Sequence, residues 1–267
     1  MKKYLIFILI VILILVASTR CETMESKPKR GIFIMAGGSF RNGSQGNTRR
    51  GEEISYEQQI NACQSHIKLF KHIKEKYNCD SDVVISTYNT QYNEDLFNTY
   101  GSHLVGKYTR DDEIGIKGLF QNGAKVVDIS SYDFLCYIRI DLFLKDKFIE
   151  IFNPTWNIIH YPFICWKKDS VENGKPRVCD LITYIPKRFF YVVPSMTVAH
   201  DEWLNFANNF NIDVDDMNVM INTYHDSDSE KDNNPLYYIV NRPETDKWDS
   251  EGEIFDKYHF TLTPRNL

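Results

Sequence analysis

Phe134-Leu-Cys-Tyr-Ile-Arg-Ile-Asp-Leu-Phe-Leu144 is an apolar run broken by only two charges, Arg139 and Asp141. Its aromatic, branched and aliphatic residues predict a central β-strand. Side chains of a strand alternate between faces, so Leu135, Tyr137, Arg139 and Asp141 share one side, and Phe134, Cys136, Ile138 and Ile140 the other. Both charges therefore emerge together. Taking a carboxylate out of water costs several kcal/mol unless a cation, a metal ion or donated hydrogen bonds compensate it, so Asp141 at the strand end needs a partner. Arg139 itself can be that partner in a structural ion pair, and a metal-bound substrate phosphate is the alternative.

Working outward, Gly31-Ile-Phe-Ile-Met-Ala36 reads as a short buried strand, followed by Gly37-Gly38-Ser39-Phe40-Arg41 and a polar loop reaching Ser55. From Tyr56, apolar residues at Ile60, Cys63, Ile67, Phe70, Ile73 and Tyr77 recur at three- and four-residue steps, which predicts an amphipathic helix ending near Asn78. Asp82-Val-Val-Ile-Ser-Thr-Tyr88 is the second strand, and the three segments form a βαβ unit with parallel pairing. Residues 91–100 read as helix, 103–108 as strand and 111–121 as helix before the Arg139/Asp141 strand arrives. This alternation predicts an α/β fold. Beyond it, Trp156 to Trp166 reads as a strand, Lys167 to Arg177 as a polar loop, and Cys179 to Val193 as mixed strand and turn. Residues 195–210 suit a short helix, and Asn218 to Tyr224 a final strand before a polar tail.

Hydrophobic residues make up 43% and aromatic residues 14% of the 267, enough for a sizeable core and against a disordered chain. A net charge of -5 gives no basic footprint for nucleic acid, so no nucleic-acid partner is expected. The N-terminus begins Met1-Lys-Lys-Tyr and continues as an aliphatic stretch to Ala17. It reads as a membrane signal-anchor (residues 1–20) with a tether (21–30) ahead of one domain (31–267). Lys2 and Lys3 would hold the N-terminus in the cytoplasm, giving a single-pass type II protein with a luminal or extracytoplasmic domain. Cleavage near Val16-Ala-Ser18, leaving a secreted protein, is the alternative. The six cysteines contain no C-x-x-C pair; Cys165 and Cys179 could bridge in an oxidising lumen. The sequon Asn42-Gly-Ser44 sits in the glycine-rich loop, where a glycan would obstruct a ligand.

Ligands of open α/β sheets bind beyond the carboxyl ends of strands. The residues collected there are Gly37, Gly38 and Arg41; Thr87, Tyr88 and Asn89; Arg139 and Asp141; and His225, Asp226 and Asp228. Glycines admit close backbone approach, and the Arg41 guanidinium suits phosphate oxygens. An ordinary tight turn explains Gly37-Gly38 equally, since no full dinucleotide or P-loop pattern is present. His225-Asp-Ser-Asp228 with Asp141 could form an oxygen-rich Mn²⁺ or Mg²⁺ site, or be a solvated acidic turn. His200-Asp-Glu-Trp203 reads as a helix start, and His66, His72, His103 and His160 are assigned to faces without function.

The order of segments resembles a divergent family of GT-A-type glycosyltransferases of bacterial surface-polysaccharide clusters and large DNA viruses. The matching pieces are the early strand with Gly37 and Arg41, Asp82 to Tyr88, Tyr132-Asp-Phe-Leu-Cys-Tyr-Ile-Arg-Ile-Asp141, and Arg177-Val-Cys-Asp180. The resemblance implies a GT-A-like, mostly parallel mixed sheet flanked by helices, and an Arg-x-Asp in place of the more usual Asp-x-Asp. It puts Asp141 near a metal and the diphosphate of a nucleotide-sugar donor, with Arg139 assisting the same charge. It gives His225 to the metal, and makes Asp180 a candidate base toward a glycan or glycoconjugate acceptor, with Asp201 second. Gly37, Gly38, Arg41, Thr87 and Tyr88 would hold the nucleotide. Two other classes stay open: a non-catalytic carbohydrate-binding protein, and a metal-dependent nucleotidyltransferase or phosphohydrolase.

Overall fold

The computed structural model describes residues 29–42, 49–51, 55–161, 164–165, 177–178, 181–196, 203–213, 217–219 and 236–240. The N-terminal segment, Asp180, Cys179, Asp201 and the His225 cluster lie outside these residues. No described helix is long and apolar enough to cross a membrane.

The chain forms β1 (Arg30–Ala36), the antiparallel pair β2 (Arg41–Asn42) and β3 (Arg49–Arg50), α1 (Tyr56–Tyr77), β4 (Asp80–Tyr88), α2 (Asn93–Tyr100) and β5 (Leu104–Arg110). There follow α3 (Gly115–Ala124), β6 (Phe134–Arg139), β7 (Leu142–Leu144), α4 (Asp146–Ile151), β8 (Ile159–Tyr161), β9 (Ile164–Cys165) and β10 (Arg177–Val178). Last come β11 (Ile182–Pro186), α5 (Trp203–Phe210), β12 (Met217–Val219) and β13 (Tyr237–Ile239). Among the described residues seven strands make one sheet in the order β12-β8-β11-β6-β1-β4-β5. β6, β1, β4 and β5 are parallel, β11 runs against both β6 and β8, and β12 is parallel to β8. This is an α/β fold, as the alternation of segments predicts, with the mixed, mostly parallel sheet and flanking helices that the resemblance implies.

The alternation read from the central strand sorts the core. Phe33, Met35, Val83, Ile85, Phe134, Cys136 and Ile138 pack on one face, against Cys63, Leu69, Phe70 and Ile73 of α1 and Leu96 and Phe97 of α2. Ile32, Ile34, Val84, Leu135 and Tyr137 pack on the other, against Leu119 and Phe120 of α3. α1 follows its apolar spacing and stops at Asn78, whose φ of 49° is left-handed and whose N–H donates to the Lys74 carbonyl at 3.0 Å. Asparagine tolerates that conformation better than most residues.

The structure corrects three local expectations. β6 stops at Arg139; Ile140 and Asp141 turn the chain, and Leu142–Leu144 leaves the main sheet to pair with β13. The run stays apolar past the turn because Leu142 and Leu144 are as buried as the strand before them. β13 itself was hidden in the polar tail, so Asn218 to Tyr224 is not the final strand. α3 begins at Gly115 instead of 111, because the amides of Ile114 and Gly115 are capped by the Tyr88 hydroxyl at 3.4 and 3.1 Å, leaving Asp111, Asp112 and Glu113 exposed. His66, assigned to a face without function, is wholly buried in a structural role that leaves this reading standing: Nε2 donates to the Leu142 carbonyl at 2.7 Å, and Nδ1 meets the Tyr100 hydroxyl at 2.8 Å. Because a carbonyl only accepts, Nε2 carries the proton and Nδ1 accepts from Tyr100.

Candidate functional site

The four parallel strands end together at one edge of the sheet, with Ala36 level with Ser86 and Arg139, and Tyr88 level with Arg110. From β1 the chain steps sideways to β4 and β5, then returns to place β6 on the opposite flank of β1. The crossover helices respect this reversal, α1 and α2 on one face and α3 on the other. The loops after β1 and β6 therefore diverge, and the space between them is the topological switch point at which open α/β sheets bind ligands. Gly37 opens one loop and the Ile140–Asp141 turn opens the other.

The glycine turn is built by hydrogen bonds to β4. Gly37 N donates to the Ser86 carbonyl at 3.1 Å, and the Thr87 hydroxyl donates to the Gly37 carbonyl at 2.7 Å. Thr87 Oγ1 also accepts from Ser39 N at 3.1 Å and from the Ser39 hydroxyl at 2.9 Å. One donor and two acceptor positions exhaust a hydroxyl. Thr87, expected to touch the nucleotide, thus holds the turn from behind. Tyr88, expected beside it, is buried with its hydroxyl on the first amides of α3. The residues nearer the rim are Gly38 and the half-buried Arg41, whose Cδ lies 3.9 Å from where a Cβ on Gly38 would stand.

Gly37 has a φ of 139°, a region that L-residues rarely enter. A Cβ there would meet nothing closer than the Ile140 Cγ2 at 3.5 Å, so backbone strain, not crowding, is the obstacle. Gly37→Ala is expected to cost about 1–3 kcal/mol in urea unfolding, and a neutral result would contradict the strain.

Arg139 and Asp141 meet each other. Arg139 Nε donates to Asp141 Oδ1 at 2.9 Å and Nη2 to Oδ2 at 2.6 Å, a bidentate pair in which the residues are 6% and 3% exposed. The turn that carries them is fixed on every side: Arg139 N donates to the Leu181 carbonyl at 2.9 Å, Ile140 N to the Ala36 carbonyl at 3.1 Å, and Val240 N to the Asp141 carbonyl at 2.8 Å. The pair is buried, yet it adjoins the glycine turn, because Ile140 bonds to the residue before Gly37. Among the described residues no group of three or more His, Cys, Asp and Glu could hold a metal ion. Asp141 is paired with Arg139, and Asp111, Asp112 and Glu113 stand exposed after β5, so the described residues do not by themselves form a divalent-cation cage. Asp180 and His225 lie outside the described residues.

Sequence reasoning missed Gln59 and Ser65 as well as His66. All three are polar residues on the buried side of α1, and each supports the site's second loop. Ser65 Oγ donates to the Ala62 carbonyl at 2.6 Å and accepts Leu144 N at 2.9 Å. Gln59 and His66 are seven residues apart on the helix, two turns of one face, and polar groups at core-facing spacing were the available signal.

No protein-family model and no curated protein matches the chain. Solved structures similar to it include a Drosophila β1,4-galactosyltransferase 7 in complex with manganese, UDP-Gal and xylobiose, at 7% identity and TM-score 0.41, covering 80% of this chain and 71% of that one. A 4-diphosphocytidyl-2C-methyl-D-erythritol synthase from Anaerococcus prevotii is similar at 10% identity and TM-score 0.42, covering 72% and 88%. A galactosyltransferase bound to donor and acceptor sugar analogues gives 8% identity and TM-score 0.34, covering 71% and 66%. At these scores and identities the likenesses carry no assignment of activity.

Proposed function

We propose that the chain is a glycosyltransferase that moves a sugar from a nucleotide-sugar donor to a glycan or glycoconjugate acceptor, tethered to a membrane by its N-terminal segment. The observation that carries the reading is the switch point between β1 and β6, where a glycine turn and an arginine-bearing turn follow adjacent strands and are hydrogen-bonded side by side. The Gly37-Gly38 backbone would admit the donor's phosphates closely, and Arg41 would pair with their oxygens. Departure of a nucleoside diphosphate builds negative charge, which a preoriented guanidinium stabilises without reorganising. Arg139 takes that part in this reading. The bidentate contact with Asp141 would aim the Arg139 guanidinium. A Mn²⁺ or Mg²⁺ ion would require His225 as a further ligand. If the transfer inverts the anomeric centre, Asp180 is the residue assigned to deprotonate the acceptor hydroxyl.

A panel of UDP- and GDP-sugars with Mn²⁺ tests the proposal. One donor should raise the melting transition, by an amount equivalent to about 2.7 kcal/mol at a hundredfold excess over Kd, and should release nucleoside diphosphate with a suitable acceptor. Release of pyrophosphate would point to nucleotidyl transfer. Glycan binding without nucleotide affinity would overturn the enzymatic reading.

A further inference from the structure

The geometry points to Gln59 as a positioning residue that locks the two loops of the proposed donor crevice to each other, an inference that rests on the switch-point reading above. Its side chain is wholly buried on α1, and its amide faces both loops at once. Oε1 accepts Phe40 N at 3.2 Å, and Nε2 donates to the Ile140 carbonyl at 2.7 Å. Only one orientation of the amide satisfies both partners, because Phe40 N can only donate and the Ile140 carbonyl can only accept. A side chain that both donates and accepts is required. Leucine or methionine supplies neither function, and an ionised glutamate supplies only the second.

The backbone on each side of the bridge needs holding. Phe40 has a φ of 48°, a left-handed conformation that a bulky residue does not adopt by preference. It is held there by Gln59 at its N–H and by Gly51 N, which donates to its carbonyl at 2.9 Å. Its ring is wedged between Tyr56 and Tyr92, with centroids 5.7 and 5.2 Å away. The strained residue immediately precedes Arg41. On the other side, Ile140 stands between Arg139 and Asp141. Gln59 therefore connects the residue before one arginine with the residue after the other, without itself lying at the rim. Loss of the bridge should loosen donor binding far more than it slows chemistry on donor already bound.

The test uses the full chain and UDP or GDP as probe. Gln59→Leu is expected to weaken nucleotide binding about tenfold or more with a smaller change in kcat, and to speed amide exchange in residues 38–41 and 140–142. A folded Gln59→Leu protein with parental affinity and parental exchange would overturn the inference. Gln59→Glu is the second variant and decides the matter if Gln59→Leu fails to fold. Its carboxyl should hold its proton unusually well, because burial disfavours the charged form, and once protonated it can both accept from Phe40 N and donate to the Ile140 carbonyl. Binding should therefore be weak at about pH 8 and recover toward about pH 5, with the parent measured alongside to subtract titration of Cys63, His66 and the Arg139–Asp141 pair. A defect independent of pH would count against the bridge. Should the parent bind neither nucleotide, the donor-site reading fails, while the exchange comparison still judges whether Gln59 couples the loops.

Discussion

Asp141→Ala is expected to lower stability by about 3–5 kcal/mol, because it leaves the Arg139 guanidinium buried without its counter-charge. Donor binding and transfer should be lost with it. Stability loss alone would not distinguish a structural pair from a functional one, so the informative partner is the double variant Arg139→Met with Asp141→Leu. Replacing both members of a buried ion pair by apolar side chains of similar volume is often neutral or stabilising. The double variant should regain most of the urea stability that the single variant loses, yet remain unable to bind nucleotide or release nucleoside diphosphate. Recovery of stability together with parental nucleotide binding would reduce the pair to a fold element and leave the crevice without its charge-bearing residue.

Acidification is the second large effect. Burial pushes the His66 imidazole down from the ordinary 6.5 to about 4, against the weaker opposing influence of its bond to Leu142 and of Asp141. His160, buried and stacked on Trp156 with centroids 4.0 Å apart, is pushed by burial to about 4 as well. Between these values the unfolded chain binds more protons than the folded one, so stability rises with pH in that window and falls as pH drops from 6.5 toward 4. Each histidine can account for a loss of about 3 kcal/mol by the bottom of the window. His66→Gln keeps a donor for the Leu142 carbonyl and an acceptor for Tyr100 but cannot take up the proton. Urea midpoints measured across the window should fall less steeply for this variant than for the parent, and identical slopes would remove His66 as an acid-sensitive group.

The fold was legible where one physical signal acted alone. The unbroken apolar run of Phe134 to Ile138 reports a strand buried on both faces, the helical spacing of Ile60 to Tyr77 a helix buried on one, and that helix between the runs Gly31–Ala36 and Asp82–Tyr88 makes the βαβ unit and its parallel pairing legible. The turn at Ile140–Asp141 was not legible, because it carries no glycine or proline and because Leu142 and Leu144 beyond it enter the same core face as β6 while β7 pairs with β13 outside the main sheet. Periodicity registers that a residue is buried and not against what. The candidate site was legible in its backbone and less so in its side chains. Gly37, Arg139 and Asp141 were found from where strands end, but Thr87 and Tyr88, selected by the same rule, turn inward to hold the glycine turn and cap α3. Gln59 was passed over because its neighbour Ile60 already explained the helix face. That a polar side chain four residues before Cys63 serves loops after two different strands depends on contacts distant in sequence, 19 residues one way and 81 the other.

The central claim is that the crevice between the ends of β1 and β6 receives a donor's phosphates. Hydrogen exchange of the full chain with and without saturating UDP or GDP addresses it most directly. The account predicts slower exchange in peptides covering residues 37–41 and 139–142, and little change at the amino ends of the same strands, around Arg30 and Phe134. Binding that leaves both loops unchanged while protecting another surface would contradict it.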